Sequence, residues 1–229
     1  MDTTVDTETE LKSKVEIMVE NEIPELINVA SHDESTTTDM MAVEEDNEVT
    51  YDRWAYSHKD VDFTGVWKIV TSDEFKKDYD VYLSRLGQPA LVRSVAVNIV
   101  DFTAEDLVHD GLELTIRGKN LRGSWDRTLI TSGYNKETGT VIEQAENLVP
   151  TADRLETIQA ESWWEEKGTV HVSWMKGVKR YGGGDFESRR YLEDNGNILV
   201  CESIFHPDSN TNMKNKEKAT IRWKFQRNE

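Results

Sequence analysis

From Val61 onward the chain is built of short runs in which apolar and polar residues alternate, each ending at a cluster of turn formers. A period of two puts successive side chains on opposite faces, so each run can bury one face and wet the other. Ten runs are read, at about 61–71, 97–108, 111–118, 124–132, 139–146, 154–164, 168–175, 184–192, 197–205 and 217–227. The breaks include His109-Asp110, Gly133 to Thr138, Pro150, Gly182-Gly183-Gly184 and Asp194-Asn195-Gly196. Short antiparallel strands in this number make a sandwich or a barrel, and a closed barrel leaves no exposed edge. The pattern predicts an all-β fold, a ten-stranded antiparallel up-and-down β-barrel.

The strong helical pattern falls between the first and second runs. Asp73 is read as the cap of a piece that lines up Phe75, Tyr79, Tyr82, Leu83 and Leu86 on one face. Gly87-Gln88-Pro89 breaks it, and the second piece turns β-branched by Val95 and Val97. A short helix-turn-helix here serves as a lid over one barrel end, with Phe75, Tyr79 and Leu83 as its inner contacts.

Charge divides the chain. Residues 1–60 hold 17 Asp/Glu and 4 Lys/Arg, whereas the remainder holds 27 and 23. An acidic segment with few aromatics cannot bury enough apolar surface to offset its ordering. Residues 1–57 therefore read as a disordered acidic extension, and 58–229 as the barrel domain. Within the extension, Leu11, Val15, Met18, Val19, Leu26 and Ile27 recur at helical spacing, and 31–50 reads as linker. The aromatic cluster Tyr51-Asp52-Arg53-Trp54-Ala55-Tyr56 is expected to pack on the domain that follows. A net charge of −17 disfavours nucleic acid as a partner. It leaves a basic protein as a candidate partner for the acidic arm. No apolar run is long enough to span a membrane, and no basic start precedes an apolar stretch as in a secretory leader. The lone Cys201 fits a reducing compartment, so a cytoplasmic location is expected.

Three blocks then carry a family resemblance: Phe63-Thr64-Gly65-Val66-Trp67-Lys68 with a helix ending at Leu86-Gly87, Thr151-Ala152-Asp153-Arg154 with Thr169 to Trp174, and Ser188 to Asp194 with Ile198 to Glu202. In order and spacing they resemble the intracellular fatty-acid-binding proteins of the lipocalin/calycin superfamily. The resemblance implies a cytoplasmic monomer that carries one lipid inside its barrel. Gly65 and Trp67 would form the barrel floor. The family holds a fatty-acid carboxylate on an Arg of the eighth strand and an Arg-x-Tyr pair of the last. By position these become Arg190 (or Arg189), and Arg222-Trp223-Lys224 with Lys224 in place of Tyr. Tyr191 and Trp174 complete the expected ligand contacts. Alternation leaves two registers open in the last strand: Arg222 and Lys224 inward, or Ile221, Trp223 and Phe225 inward. It also requires one of Trp163 and Trp164 to face out.

Chemistry of other kinds finds no support in the pattern. The five histidines (His32, His58, His109, His171 and His206) show no metal-ligand spacing, so neither a metal nor a cofactor beyond the lipid is expected. His171 lies mid-strand and could face the cavity. Cys201 has no basic sequence neighbour to activate it. The expectation is a carrier without enzymatic activity. The alternative is an interaction or scaffold module, its barrel packed solid or holding a neutral pigment, sterol or retinoid, with the acidic arm recruiting a partner.

Overall fold

The ten long-range strands pair in one antiparallel sheet that curls into a nearly closed barrel. The computed structural model describes residues 42–45, 48–144, 146–151, 156–208 and 217–228. The helical spacing read over 11–27 lies outside the described residues. The unit that holds the barrel runs from Met41 to Glu229. It opens on a hairpin, β1 (Ala42–Glu45) and β2 (Glu48–Tyr51), in what composition reads as linker. The barrel strands are β3 (Gly65–Ile69), β4 (Ala104–Asp110), β5 (Glu113–Asn120), β6 (Gly123–Ile130), β9 (Leu148–Pro150), β10 (Thr157–Glu165), β11 (Val170–Val178), β12 (Gly184–Glu193), β13 (Ile198–His206) and β14 (Ala219–Arg227). Neighbours in sequence pair from β3 to β6 and from β9 to β14, β14 pairs with β3, and β6 and β9 are the two edges. A small hairpin, β7 (Gly133–Asn135) and β8 (Thr140–Ile142), stands outside the ring.

Two sequence expectations need correction. The fifth barrel strand is not 139–146, where only Thr140–Ile142 is extended and pairs with β7. The ring position belongs to Leu148–Pro150, which pairs with β10 and is a sheet edge. Pro150 reads as a break in the sequence, but an edge strand does not need every N–H. Nor does the second strand begin at 97. Helix α2 (Ala90–Ile99) runs through the β-branched residues and passes into a 3-10 turn at Val100–Phe102. Val92, Val95, Ala96 and Ile99 share one face at helical spacing, and that burial outweighs the small β preference of valine. Arg93 clamps α2 to the preceding helix through Asp80 at 2.9 Å.

That preceding helix, α1 (Asp73–Arg85), is capped by Ser72 rather than Asp73. The Ser72 Oγ accepts from the Phe75 N–H at 3.1 Å, while Asp73 and Glu74 sit in the first turn, where the helix dipole favours them. Its inner face lies over β13 and β14. Phe75, Tyr79 and Leu83 pack on a cluster of Tyr82, Leu86, Phe205, Ala219 and Ile221. The Phe75 and Tyr79 rings meet Trp223 edge-on at 5.4 and 5.1 Å. Burial, with Tyr181 nearby, pushes the Tyr79 hydroxyl up to about 12.

The opposite end is plugged. Trp67 is fully buried and donates its indole N–H to the Phe63 carbonyl at 2.9 Å. The Arg227 guanidinium covers its ring at 4.4 Å. Gly65 has φ +143°, and a Cβ there would lie 2.9 Å from Arg227 Nη1, so only glycine fits comfortably. The seam between β6 and β10 is closed without a full ladder. The Ser132 N–H donates to the Ser162 carbonyl at 2.9 Å, and the Ser162 hydroxyl donates to the Ile130 carbonyl at 2.9 Å. The Asn147 amide spans the same gap, donating to Thr128 O at 3.2 Å and accepting from Ile130 N at 2.9 Å.

Residues 53–58 form a strap against this seam, as the aromatic cluster suggests. Trp54 and Trp164 exchange two backbone hydrogen bonds of 2.8 Å, and Ala55 donates to Tyr134 O at 3.0 Å. His58 N–H reaches Gly168 O at 2.8 Å. Gly168 has φ +92°, and a Cβ there would come within 2.4 Å of the His58 nitrogen.

Candidate functional site

Register decides which side chains enter the barrel. On β12, Phe186, Ser188, Arg190 and Leu192 share the inner face, because Arg190 stands opposite inward Cys201 on β13 and His171 on β11. His171 in turn stands opposite Trp164 on β10. On β6, Arg127 follows buried Leu129 onto the inner face, opposite buried Ile116. On β4, Glu105 stands opposite Trp67, on the same face as buried Leu107. Arg127, Arg190, Glu105 and His171 thus form a polar belt inside an otherwise apolar barrel. Its two arginines and one carboxylate leave an excess of one positive charge when His171 is neutral.

Much of this belt lacks partners. Glu105, His171 and Arg190 are 9 %, 0 % and 6 % exposed. Among the described residues the buried side-chain atoms without a hydrogen bond are Glu105 Oε2, both His171 ring nitrogens, and Arg190 Nε and Nη1. Among the described residues Arg127 finds a weak acceptor, the Met175 sulfur at 3.3 Å from Nη1. Leaving such groups dry and unpaired costs about 1–3 kcal/mol each, and more for charged ones. The environment also acts on their protonation. Burial, then the nearby Arg190, lowers the Arg127 guanidinium from its ordinary value. Burial likewise pushes the Cys201 thiol up, against the pull of Arg190.

Burial first, then Arg190 and then His109, hold the His171 imidazole well below its ordinary 6.5. The folded chain therefore resists a proton that the unfolded chain accepts below that value. His171 contributes its stability fully above about pH 6.5 and loses it as the pH falls toward the lower folded value. Urea midpoints are expected to drop on acidification through this window, and the His171→Leu variant to show a shallower drop. Identical pH profiles for the two proteins would refute this account of His171.

The expected site residues are only partly brought together. Arg190 faces the interior, and the alternation that admits it sends Arg189 out to Glu165 at 2.6 Å. Tyr191 also faces out, donating its hydroxyl proton to Glu202 at 2.8 Å. In β14 the apolar set turns inward, with Ile221 and Phe225 buried, so Arg222 and Lys224 project outward. There Arg222 pairs with Glu193 and donates to the Tyr191 oxygen at 3.2 Å, and Lys224 reaches Glu193 at 3.1 Å. Trp174 lies on the outer face too, with its N–H on Asp185 at 2.9 Å and its ring stacked on His206 at 4.6 Å. Burial of three aromatic and aliphatic side chains outweighs the pull of a family-like anchor in the last strand. Trp164 points inward and Trp163 outward.

Arg127 and Glu105 were missed by sequence reasoning. Both carry a signal in period two: Trp125, Arg127 and Leu129 share one face, as do Glu105, Leu107 and His109. A charge in phase with a buried leucine is the mark of an inward charge.

No family model matches this chain, and no curated protein matches it in sequence. Among solved structures it is similar to a REP1-NXSQ fatty acid transporter, at 14 % identity and a TM-score of 0.49, over 72 % of this chain and 96 % of that one. It is also similar to lipid binding protein 8 of Caenorhabditis elegans, in its apo form, at 16 % identity and a TM-score of 0.49, over 76 % and 99 % of the two chains.

Proposed function

We propose that the barrel carries one long apolar molecule with an anionic head, a fatty acid or a lipid of similar build. The observation that carries this reading is the buried Arg190 guanidinium, facing the barrel interior with Nε and Nη1 unpaired. A carboxylate bridges Nη2 with either Nε or Nη1 of a guanidinium, so each unpaired donor can form one arm of a bidentate pair. Arg127 supplies a second positive charge on the far wall. The tail would lie among inner-face side chains such as Met175, Phe186 and Leu192, which are only partly buried. Enclosing it gains roughly 25 cal/mol per Å² of apolar surface removed from water. This is binding without catalysis, by a cytoplasmic monomer that needs no cofactor besides its lipid. Buried Cys201, with its thiol pushed up, suits a reducing setting. No helix among the described residues is long and apolar enough to cross a membrane.

A second reading has its own support. Trp67, Trp164, Phe63 and Phe205 are all less than 2 % exposed and fill much of the interior. A barrel packed this far could act as a scaffold, with the acidic N-terminal arm recruiting a basic protein.

Extraction of natively purified protein, followed by mass spectrometry and an uptake assay, separates the two. A carboxylated lipid in the extract, or its uptake by stripped protein, is expected for the carrier. A barrel that neither holds nor takes up any apolar molecule overturns that reading in favour of the scaffold. Removing residues 1–40, which spares the strap at 53–58, should leave uptake intact.

A further inference from the structure

A simple carboxylate cannot satisfy the belt. It brings acceptors only, which can answer the Arg190 guanidinium on one side and one protonated nitrogen of His171. The second His171 nitrogen of a neutral imidazole is itself an acceptor, and so is Glu105 Oε2. Both are buried and unpaired. They need donors, and an ionised head group has none to give.

We infer that the preferred cargo is a hydroxylated fatty acid, whose carboxylate binds Arg190 and whose hydroxyl donates to the buried Glu105 carboxylate. This deepens the carrier reading and rests on it. Geometry places the hydroxyl close to the head group. His171 is the direct cross-strand neighbour of Arg190, where side chains lie within reach of one another. Glu105 and Arg190 both stand near enough to Cys201 to act on its ionisation, as does Arg127. Glu105 stands opposite Gly118, and the space that this glycine leaves is taken by the Trp125 ring, which would lie 2.0 Å from a Cβ there. The hydroxyl therefore belongs on one of the carbons next to the carboxyl group rather than far along the tail.

The test is competition against a fluorescent fatty-acid probe on the full chain, using stearate and its α-hydroxy, β-hydroxy and mid-chain hydroxy derivatives. A hydrogen bond to a charged, buried acceptor predicts that the α- or β-hydroxy acid binds about tenfold or more tighter than stearate. The mid-chain derivative should gain nothing. In Glu105→Leu the ratio of the two affinities should fall to about one. If that variant does not fold, Glu105→Gln keeps the size and one neutral acceptor, and should show a reduced preference. Equal affinities for stearate and its hydroxy acids in the unmodified protein overturn the inference while leaving the carrier reading intact. A preference that survives both substitutions overturns the role of Glu105. Failure of every acid to bind overturns the carrier reading itself.

Discussion

Replacing Arg190 by Met is expected to move stability and binding in opposite directions. The guanidinium carries two buried N–H groups without partners, and that penalty is present whenever the barrel is empty. An apolar side chain of similar length removes it, so the empty variant should be more stable by about 1–3 kcal/mol. The same change deletes the fork that meets the ligand head. Losing one partner of a buried charged pair costs about 2–5 kcal/mol of binding, a fall in carboxylate affinity of roughly thirtyfold or more. Arg190→Lys should fall between, since an ammonium keeps the charge but cannot offer two parallel N–H groups. Urea denaturation of stripped protein and displacement of a fluorescent fatty acid read the two effects separately. A variant that binds the carboxylate as well as the parent would remove Arg190 from the site. A variant that loses stability would show that the orphan donors find partners in the empty barrel.

Trp164→Ala should produce the largest loss of stability, about 3–5 kcal/mol by analogy with other buried tryptophans. Trp164 is 1 % exposed and touches four structural pieces at once. Its ring lies 5.3 Å from Phe63, 5.2 Å from His109 and 5.1 Å from His171, and its backbone pairs with Trp54 of the strap. Domains are typically stable by about 5–15 kcal/mol, so this one change would consume much of the margin. Arg222→Ala is the contrast. Its partners, Glu193 and Tyr191, sit with it on the wet outer face, and exposed ion pairs are worth about 0–1 kcal/mol. Chemical denaturation of both variants checks the pair. Comparable losses at the two positions would contradict the assignment of Trp164 to the core and Arg222 to the surface.

Much of this architecture is legible in the chain because it rests on local physics. Alternation marks nine of the ten barrel strands, and Gly-Val-Trp marks the plugged end. The helical lid is visible in Phe75, Tyr79, Leu83 and Leu86. The errors have specific causes. Valines in α2 look like strand when weighed singly, yet their helical spacing sets Val92, Val95 and Ile99 on one partly buried face. The three-residue strand Leu148–Pro150 is too short for any periodicity, and it exists because β10 offers it a partner.

The site divides along the same line. Sequence alone determined that only one of Arg189 and Arg190 could enter the barrel, that Trp163 and Trp164 must part, and that an acidic segment precedes a nearly neutral domain. These follow from a two-residue repeat and from counting charges, which need no neighbour. Only the tertiary structure decided which member of each pair turns inward, because the choice depends on what stands opposite on the next strand. It sent Arg222 and Lys224 to the surface, since Ile221, Trp223 and Phe225 gain more from burial than an anchor would. It also gathered Arg127, Glu105, His171 and Arg190 from four separate strands into one belt. No spacing along a chain records that meeting, because barrel closure sets it.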